Sequence, residues 1–220
     1  MIQKVTIQFP EIALQTRDAH KLRGYFGNIF KEYSPLLHNH FETGELRYRY
    51  PLVQYKVLDE IPTLVALQEG AELLVKLFLK IREIKISDNV YPIYGKNIKS
   101  EMITIGYGEE LREYRFKTLW MGLNQQNFQK YALLATQEEK SKLLDKIMTG
   151  NILSFFKGLK IFLEPGQRIM AKGKFLEKKT RFKNREMLAF SGSFVVNACL
   201  PNDIGIGKAV SRGFGSIEEI

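Results

Sequence analysis

From Ile2 to Phe9 polar and apolar residues alternate, with Val5, Ile7 and Phe9 on one side, the pattern of a strand with one buried face. Between Thr16 and Tyr33 the spacing changes. Leu22, Phe26, Ile29 and Phe30 stand at i, i+4, i+7 and i+8, which predicts one face of a helix. Two runs rich in β-forming residues follow, Leu46 to Leu58 and Thr63 to Gln68, joined by a turn at Asp59-Glu60-Ile61-Pro62. Ala71 to Arg82 is helical through Leu74, Leu77, Phe78 and Ile81, and Glu83 to Tyr94 returns to strand. The order β-α-β-β-α-β is that of a ferredoxin-like unit.

Beyond residue 100 the pattern is less regular. Met102 to Leu119 predicts one or two strands. Thr136-Gln137-Glu138-Glu139 has the form of a capping box and opens a helix whose Leu143, Leu144, Ile147 and Met148 face inward. Gly150 is expected to end that helix, with a separate helical segment from Ile152 to Leu159. Arg168 to Phe182 and Glu186 to Leu200 predict the two long strands of a hairpin, with Lys183-Asn184 near its tip. A glycine segment and a short strand come last. Element order alone then implies a second ferredoxin-like unit whose second helix is reduced, since no residue-level repeat links the two halves. The expected class is α+β, two tandem ferredoxin-like domains with the second degenerate, over residues 1–98 and 99–220.

Composition narrows the function classes. The 220 residues are 45% hydrophobic, enough for a real core, and carry a formal charge of +9, which favours a polyanionic partner. Cys199 is the only cysteine, so neither an intrachain disulfide nor a cysteine-based zinc site can form. No run reaches the roughly 18 apolar residues of a membrane span and no signal peptide is evident, so no membrane partner and a cytoplasmic location are expected.

The charge is concentrated. Lys172, Lys174, Lys178, Lys179, Arg181, Lys183 and Arg185 lie within fourteen residues that hold the single acid Glu177. Protecting an edge strand from aggregation needs only about two or three charges. The surplus, with Phe175 and Phe182 interleaved as surfaces for stacking bases, points to nucleic acid.

The segment Gly205 to Gly215, GIGKAVSRGFG, pairs four glycines with Lys208 and Arg212. A dinucleotide fingerprint needs glycine where Val210 stands, and a phosphate-binding Walker loop needs Ser or Thr where Ala209 stands. What remains is a loop whose backbone N–H groups approach a phosphodiester closely, or a tight turn into the last strand.

Gly-apolar-Gly, five residues, Gly-apolar-Gly resembles the glycine-rich signature of the CRISPR-associated repeat endoribonucleases, matched here by Gly205, Ile206, Gly207, Gly213, Phe214 and Gly215. The stretches AHKLRGYF (19–26) and LLHNHFETGELRYRYPLVQYK (36–56) resemble a branch of that family whose catalytic histidines follow the first helix. The resemblance implies two ferredoxin-like domains and metal-independent cleavage of CRISPR precursor RNA within its repeats. The ends would be 2′,3′-cyclic phosphate and 5′-hydroxyl, with no cofactor. It also implies repeat RNA as partner, leaving open further CRISPR-associated proteins and a monomer or homodimer.

Three histidines are present, His20, His38 and His40. The last two stand at i and i+2 and can share one site in an extended segment. The letters H-N-H do not make a metal-dependent DNA nuclease, because no supporting acidic cluster accompanies them. Metal-free RNA cleavage needs a base for the 2′-hydroxyl proton and an acid for the leaving 5′-oxygen, and histidine serves either role at neutral pH. His40 is the first candidate and His38 the second, with base and acid unassigned. Tyr48 and Tyr50, alternating with Arg47 and Arg49, are supporting candidates or ordinary strand residues. His20, inside the first helix with Gly24 and Gly27 on a small-residue face, is expected to pack or to contact RNA. Two rival readings are a non-catalytic RNA-binding subunit of the same superfamily in an effector complex, and a small-molecule enzyme related to the acylphosphatases.

Overall fold

In the computed structural model, which describes residues 1–29, 50–182 and 185–220, the N-terminal alternation becomes strand β1 (Ile2–Gln8), with Val5 and Ile7 fully buried. A 3-10 turn at Thr16–Asp18 leads into helix α1 (Ala19–Ile29), which buries Leu22 and Phe26. Strands β2 (Val53–Leu58) and β3 (Ile61–Leu67) form a hairpin turned by Asp59 and Glu60, both left-handed at φ 50° and 65°. That turn matches the twist of the strands it joins. Helix α2 (Glu69–Leu77) ends in a 3-10 turn at Phe78–Lys80. The expected end of the first helix, Phe30 to Tyr33, and the start of the second strand, residues 46–49, lie outside the described residues.

Glu83 to Tyr94 differs from the single strand expected. It forms a separate hairpin, β4 (Glu83–Ile86) and β5 (Asn89–Pro92), bent at Ser87, which adopts φ 56°. The sheet's fourth strand is β6 (Asn97–Ile103), paired with β1 from Ile2↔Ile103 to Gln8↔Asn97. The expected boundary after residue 98 therefore falls inside a strand that completes the first sheet. Among the described residues that sheet runs β2-β3-β1-β6, antiparallel throughout. Its core joins Val5, Ile7 and Phe9 to Leu22 and Phe26 of α1, Tyr55 of β2 and Leu74 of α2. Within it the Tyr55 hydroxyl is buried with no hydrogen-bond partner among the described residues.

Contacts divide the chain into two units, Met1–Thr104 with Val210–Gly213, and Ile105–Ala209 with Phe214–Ile220. The second unit comprises β7 (Gly106–Phe116), α3 (Gln125–Leu133), α4 (Gln137–Gly158), β8 (Ala171–Phe182), β9 (Arg185–Cys199) and β10 (Ile217–Glu219). Its sheet order, β10-β7-β9-β8, again places the fourth strand beside the first and the third beside the second. Both sheets thus have ferredoxin-like order, and no second long helix precedes β10 among the described residues.

Helix α3 has no counterpart in the hydrophobic pattern, because Tyr131 is its one buried residue while Phe128 and Leu133 are exposed. Its start is held instead by Asn124, whose side chain accepts the Asn127 N–H at 2.7 Å. The expected capping box at Thr136 and Glu139 is present. The helix does not stop at Gly150, however. It runs on to Gly158 and buries Ile152, Phe155 and Phe156. A mid-helix glycine costs about 1 kcal/mol against alanine, less than those side chains gain by burial. Among the described residues no helix is long and apolar enough to cross a membrane.

Candidate nucleic-acid interface

Alternation along β8 sorts its residues by face. Gly173, Phe175 and Glu177 share the side that carries the unit's helices. The Gly173 N–H donates to Asp145 of α4 at 2.9 Å, and Glu177 accepts from the Tyr131 hydroxyl at 2.6 Å and pairs with Lys140 at 3.5 Å. Burial, and then the Glu177 carboxylate, push the Tyr131 phenol pKa up, so it remains the donor. Lys172, Lys174, Leu176 and Lys178 share the other face and are exposed. The basic strand is thus pinned on one side and presents cations on the other.

Those cations differ from their neighbours. On β7 and just beyond it, Arg112 pairs with Glu219 at 2.8 Å, Arg115 with Glu218 at 2.5 Å, and Lys117 with Asp203 at 3.3 Å. Lys179 pairs with Glu186 at 3.2 Å. Among the described residues Lys172, Lys174, Lys178 and Arg181 have no such carboxylate. Lys183 lies outside the described residues, and Arg185 opens β9 opposite Phe182. Phe175 does not have the free ring expected for base stacking. It packs 4.9 Å from Trp120 and 6.5 Å from Phe116, in the aromatic core of its unit.

Replacing Lys172, Lys174 and Lys178 together by Ala is expected to flatten the log–log salt dependence of RNA binding by about 2, at ~0.7 per phosphate on a single strand. Thermal stability should hold, because exposed side chains without ion pairs contribute little to it. Equilibrium binding across a salt series checks this, and an unchanged slope removes this face from the RNA site.

The glycine segment is bound into the fold. Gly207, at φ 103°, has no room for a Cβ, which would stand 2.6 Å from the indole nitrogen of Trp120. That indole N–H is itself buried with no partner among the described residues. Gly213, at φ 89°, places its missing Cβ 2.6 Å from the Ala19 Cβ of α1 and 3.4 Å from the Tyr55 carbonyl oxygen. Gly215 lies against the Ile206 backbone, and Gly205 bridges to Ser216. Several backbone donors expected for a phosphodiester are used internally. Lys208 N–H donates to Met121 O, Gly213 N–H to Val210 O and Gly215 N–H to Leu119 O. What the segment exposes is the Lys208 side chain, with Arg212 half-buried.

His38, His40 and Tyr48 lie outside the described residues. Tyr50 precedes β2 rather than lying in a strand, and its hydroxyl accepts a 2.6 Å hydrogen bond from Gln54 Nε2, which also donates to the Pro51 carbonyl at 3.3 Å. Burial pushes the Tyr50 phenol pKa up, against a smaller lowering by Gln54. At neutral pH this group stays protonated and can donate a proton or a hydrogen bond, but not act as a base. His20 is exposed at the start of α1, with Nδ1 donating to the Arg17 carbonyl at 2.6 Å, so it does not pack in the core. Among the described residues no cluster of His, Cys, Asp or Glu is arranged to hold a metal ion.

With this geometry in hand, comparison with known proteins decides the family. The profile of the Cas6b N-terminal domain matches residues 1–104 and that of the Cas6b C-terminal domain matches residues 106–220. The chain belongs to the Cas6b family. A solved Cas6b is 32% identical, with a TM-score of 0.93 over 100% of this chain and 99% of the other. A second, described as the CRISPR RNA processing endoribonuclease Cas6b, is 29% identical with a TM-score of 0.80 and the same coverage. An uncharacterized protein of Methanocaldococcus jannaschii is 34% identical over 145 residues, 64% of this chain and 95% of that protein. The two Cas6b profiles meet at residues 104–106, where the contact-defined units also divide.

For a Cas6b protein, the sequence pattern alone left two polar residues of the first unit unremarked. Gln54 and Lys56 are buried on β2, at 1% and 0% exposure. Polar residues at alternate positions of a strand ordinarily signal a solvated face, so nothing in the spacing marked Gln54 and Lys56 as buried.

Proposed function

We propose that this protein is a metal-independent endoribonuclease that cuts CRISPR precursor RNA within its repeats. The observation that carries this reading is the match of both Cas6b domains along the chain, together with the 29%-identical structure described as a CRISPR RNA processing endoribonuclease. The substrate's own 2′-hydroxyl attacks the adjacent phosphorus, its proton passing to a base. The P–O5′ bond breaks as an acid protonates the leaving oxygen, giving a 2′,3′-cyclic phosphate and a 5′-hydroxyl. His40 is the principal catalytic group and His38 its partner. Tyr48 and Tyr50 support them, Tyr50 as a neutral donor held by Gln54.

The exposed Lys172, Lys174, Lys178, Lys179 and Arg181, together with Lys183 and Arg185, hold the RNA backbone. Gly205, Gly207, Gly213 and Gly215 serve by shaping the segment that carries Lys208 and Arg212.

Repeat RNA incubated with the protein in EDTA should still be cut once. A single 2′-deoxy substitution just upstream of the cut should abolish cleavage while sparing binding, and mass analysis of the product should show the cyclic phosphate. Cleavage of the deoxy substrate, or dependence on added divalent ion, overturns the mechanism.

A further inference from the structure

The first sheet ends at β2 on one side and at β6 on the other. Strand β6 pairs with β1 over all seven residues without a bulge, and among the described residues no strand lies along its other side. In an antiparallel strand every second residue turns its N–H and C=O away from a given neighbour, so β6 offers a row of backbone donors and acceptors. Such an edge is a template for another strand, and proteins ordinarily guard it with lysines, a proline or a bulge. An edge of the second sheet, β8, carries Lys172, Lys174, Lys178 and Lys179. By contrast β6, Asn97-Ile98-Lys99-Ser100-Glu101-Met102-Ile103, has no proline and no bulge, and its one lysine is neutralised by its own Glu101 at 2.8 Å. Ile98 and Met102, which share a face of this strand, are 41% and 58% exposed.

Two identical strands paired antiparallel close into a two-fold dimer, in which every contact occurs twice. Directly opposite residues must turn their backbone groups the same way, so the axis passes through a residue rather than between two. Through Lys99 or through Glu101 it would set like charges opposite one another, which is unfavourable. Through Ser100, the middle residue, all seven positions pair. Lys99 of each copy then stands opposite Glu101 of the other, and Ile98 opposite Met102. The sequence of β6 is thus complementary to itself in one register, in charge on one face and in apolar character on the other. We propose that β6 is a self-pairing edge through which two copies of this chain join their four-stranded sheets into one of eight, with the axis at Ser100. A single strand pair buries less than the roughly 1,200–2,000 Å² of a standard interface, so the dimer is a weak one, half-assembled at about 10–100 µM.

Sedimentation velocity on the full, nucleic-acid-free chain, across a concentration series from well below that range to above it, should show monomer passing reversibly to dimer. Lys99→Glu sets like charges opposite each other at two places and should weaken assembly about tenfold or more. Glu101→Lys should do the same. An equal mixture of the two variants brings opposite charges together again and should form a heterodimer, although neither variant assembles alone. Ser100→Cys should oxidise to a disulfide-linked dimer. Met102→Cys, whose two copies would stand about 13 Å apart along the paired strands, should not, and the wild type with Cys199 as its only cysteine is the blank.

Melting temperatures like that of the wild type show that the variants are folded. Glu101 also pairs with Lys4 at 3.2 Å, so if Glu101→Lys does not fold, Lys99→Glu and the two cysteine variants decide. A wild type that stays monomeric throughout the series overturns the proposal. A dimer that Lys99→Glu leaves as strong as before lies on another surface and overturns it as well. Cross-linking of Met102→Cys as fast as Ser100→Cys means another register and overturns the axis at Ser100.

Discussion

His40→Ala is expected to lose about 10²–10⁴-fold in single-turnover cleavage rate while RNA affinity stays nearly unchanged, the loss typical of removing one general acid or base. His38→Ala should lose as much if the two act as a base–acid pair, and less if His38 only orients the phosphate. In the paired case the pH–rate profile is bell-shaped around neutrality, because one imidazole must be neutral and the other protonated. Tyr50 cannot supply the basic limb. Burial raises its phenol pKa, so it stays protonated throughout that range, and Tyr50→Phe should lower the rate without shifting the profile. Wild-type rates from both histidine variants would move the active site elsewhere, with the exposed His20 the next residue to examine.

Gly213→Val should damage the fold before it affects anything else. At φ 89° a β-branched residue is strained by about 1–3 kcal/mol. The new Cβ would also meet the Ala19 Cβ at 2.6 Å and the Tyr55 carbonyl at 3.4 Å, overpacking worth about another 1–3 kcal/mol. For a chain of this size the melting temperature should fall by about 10 °C. Gly24→Ala is the control, since that exposed helical glycine has nothing within 4 Å of its Cβ position, and it should be neutral or stabilising. A Gly213→Val protein that melts like wild type but no longer binds RNA would show that the glycine serves the ligand rather than the packing.

Much of the architecture was legible because it rests on local periodicity. The buried stripe of α1, the turn at Asp59-Glu60 and the capping box at Thr136 are each written within a few residues. The errors came where local and long-range signals part. Glu83 to Tyr94 has strand-forming residues, but only its first half buries side chains regularly, and a left-handed Ser87 folds it back. Gly150 ordinarily ends a helix, and here the apolar residues on both sides carry the helix through it. The fourth strand of the first sheet, β6, is mostly exposed, so its alternation carried little contrast.

The candidate site was legible in its charges and its glycines, but not in what the glycines touch. Whether a G-x-G pair faces a phosphate or an indole depends on Trp120, nearly ninety residues earlier in the chain.

The membership of Val210–Gly213 in the first unit bears on how the protein is made. The ribosome delivers β1 through β6 about a hundred residues before it delivers the turn that packs on α1 and β2. At typical elongation speeds of roughly 5–20 residues per second, the nascent first unit waits about 5–20 s for its last piece. During that wait the surface of α1 around Ala19 and the edge of Tyr55 lack the cover of Gly213. Expressing residues 1–104 alone would make that interval permanent, so the fragment should be less stable than the same unit in the whole chain.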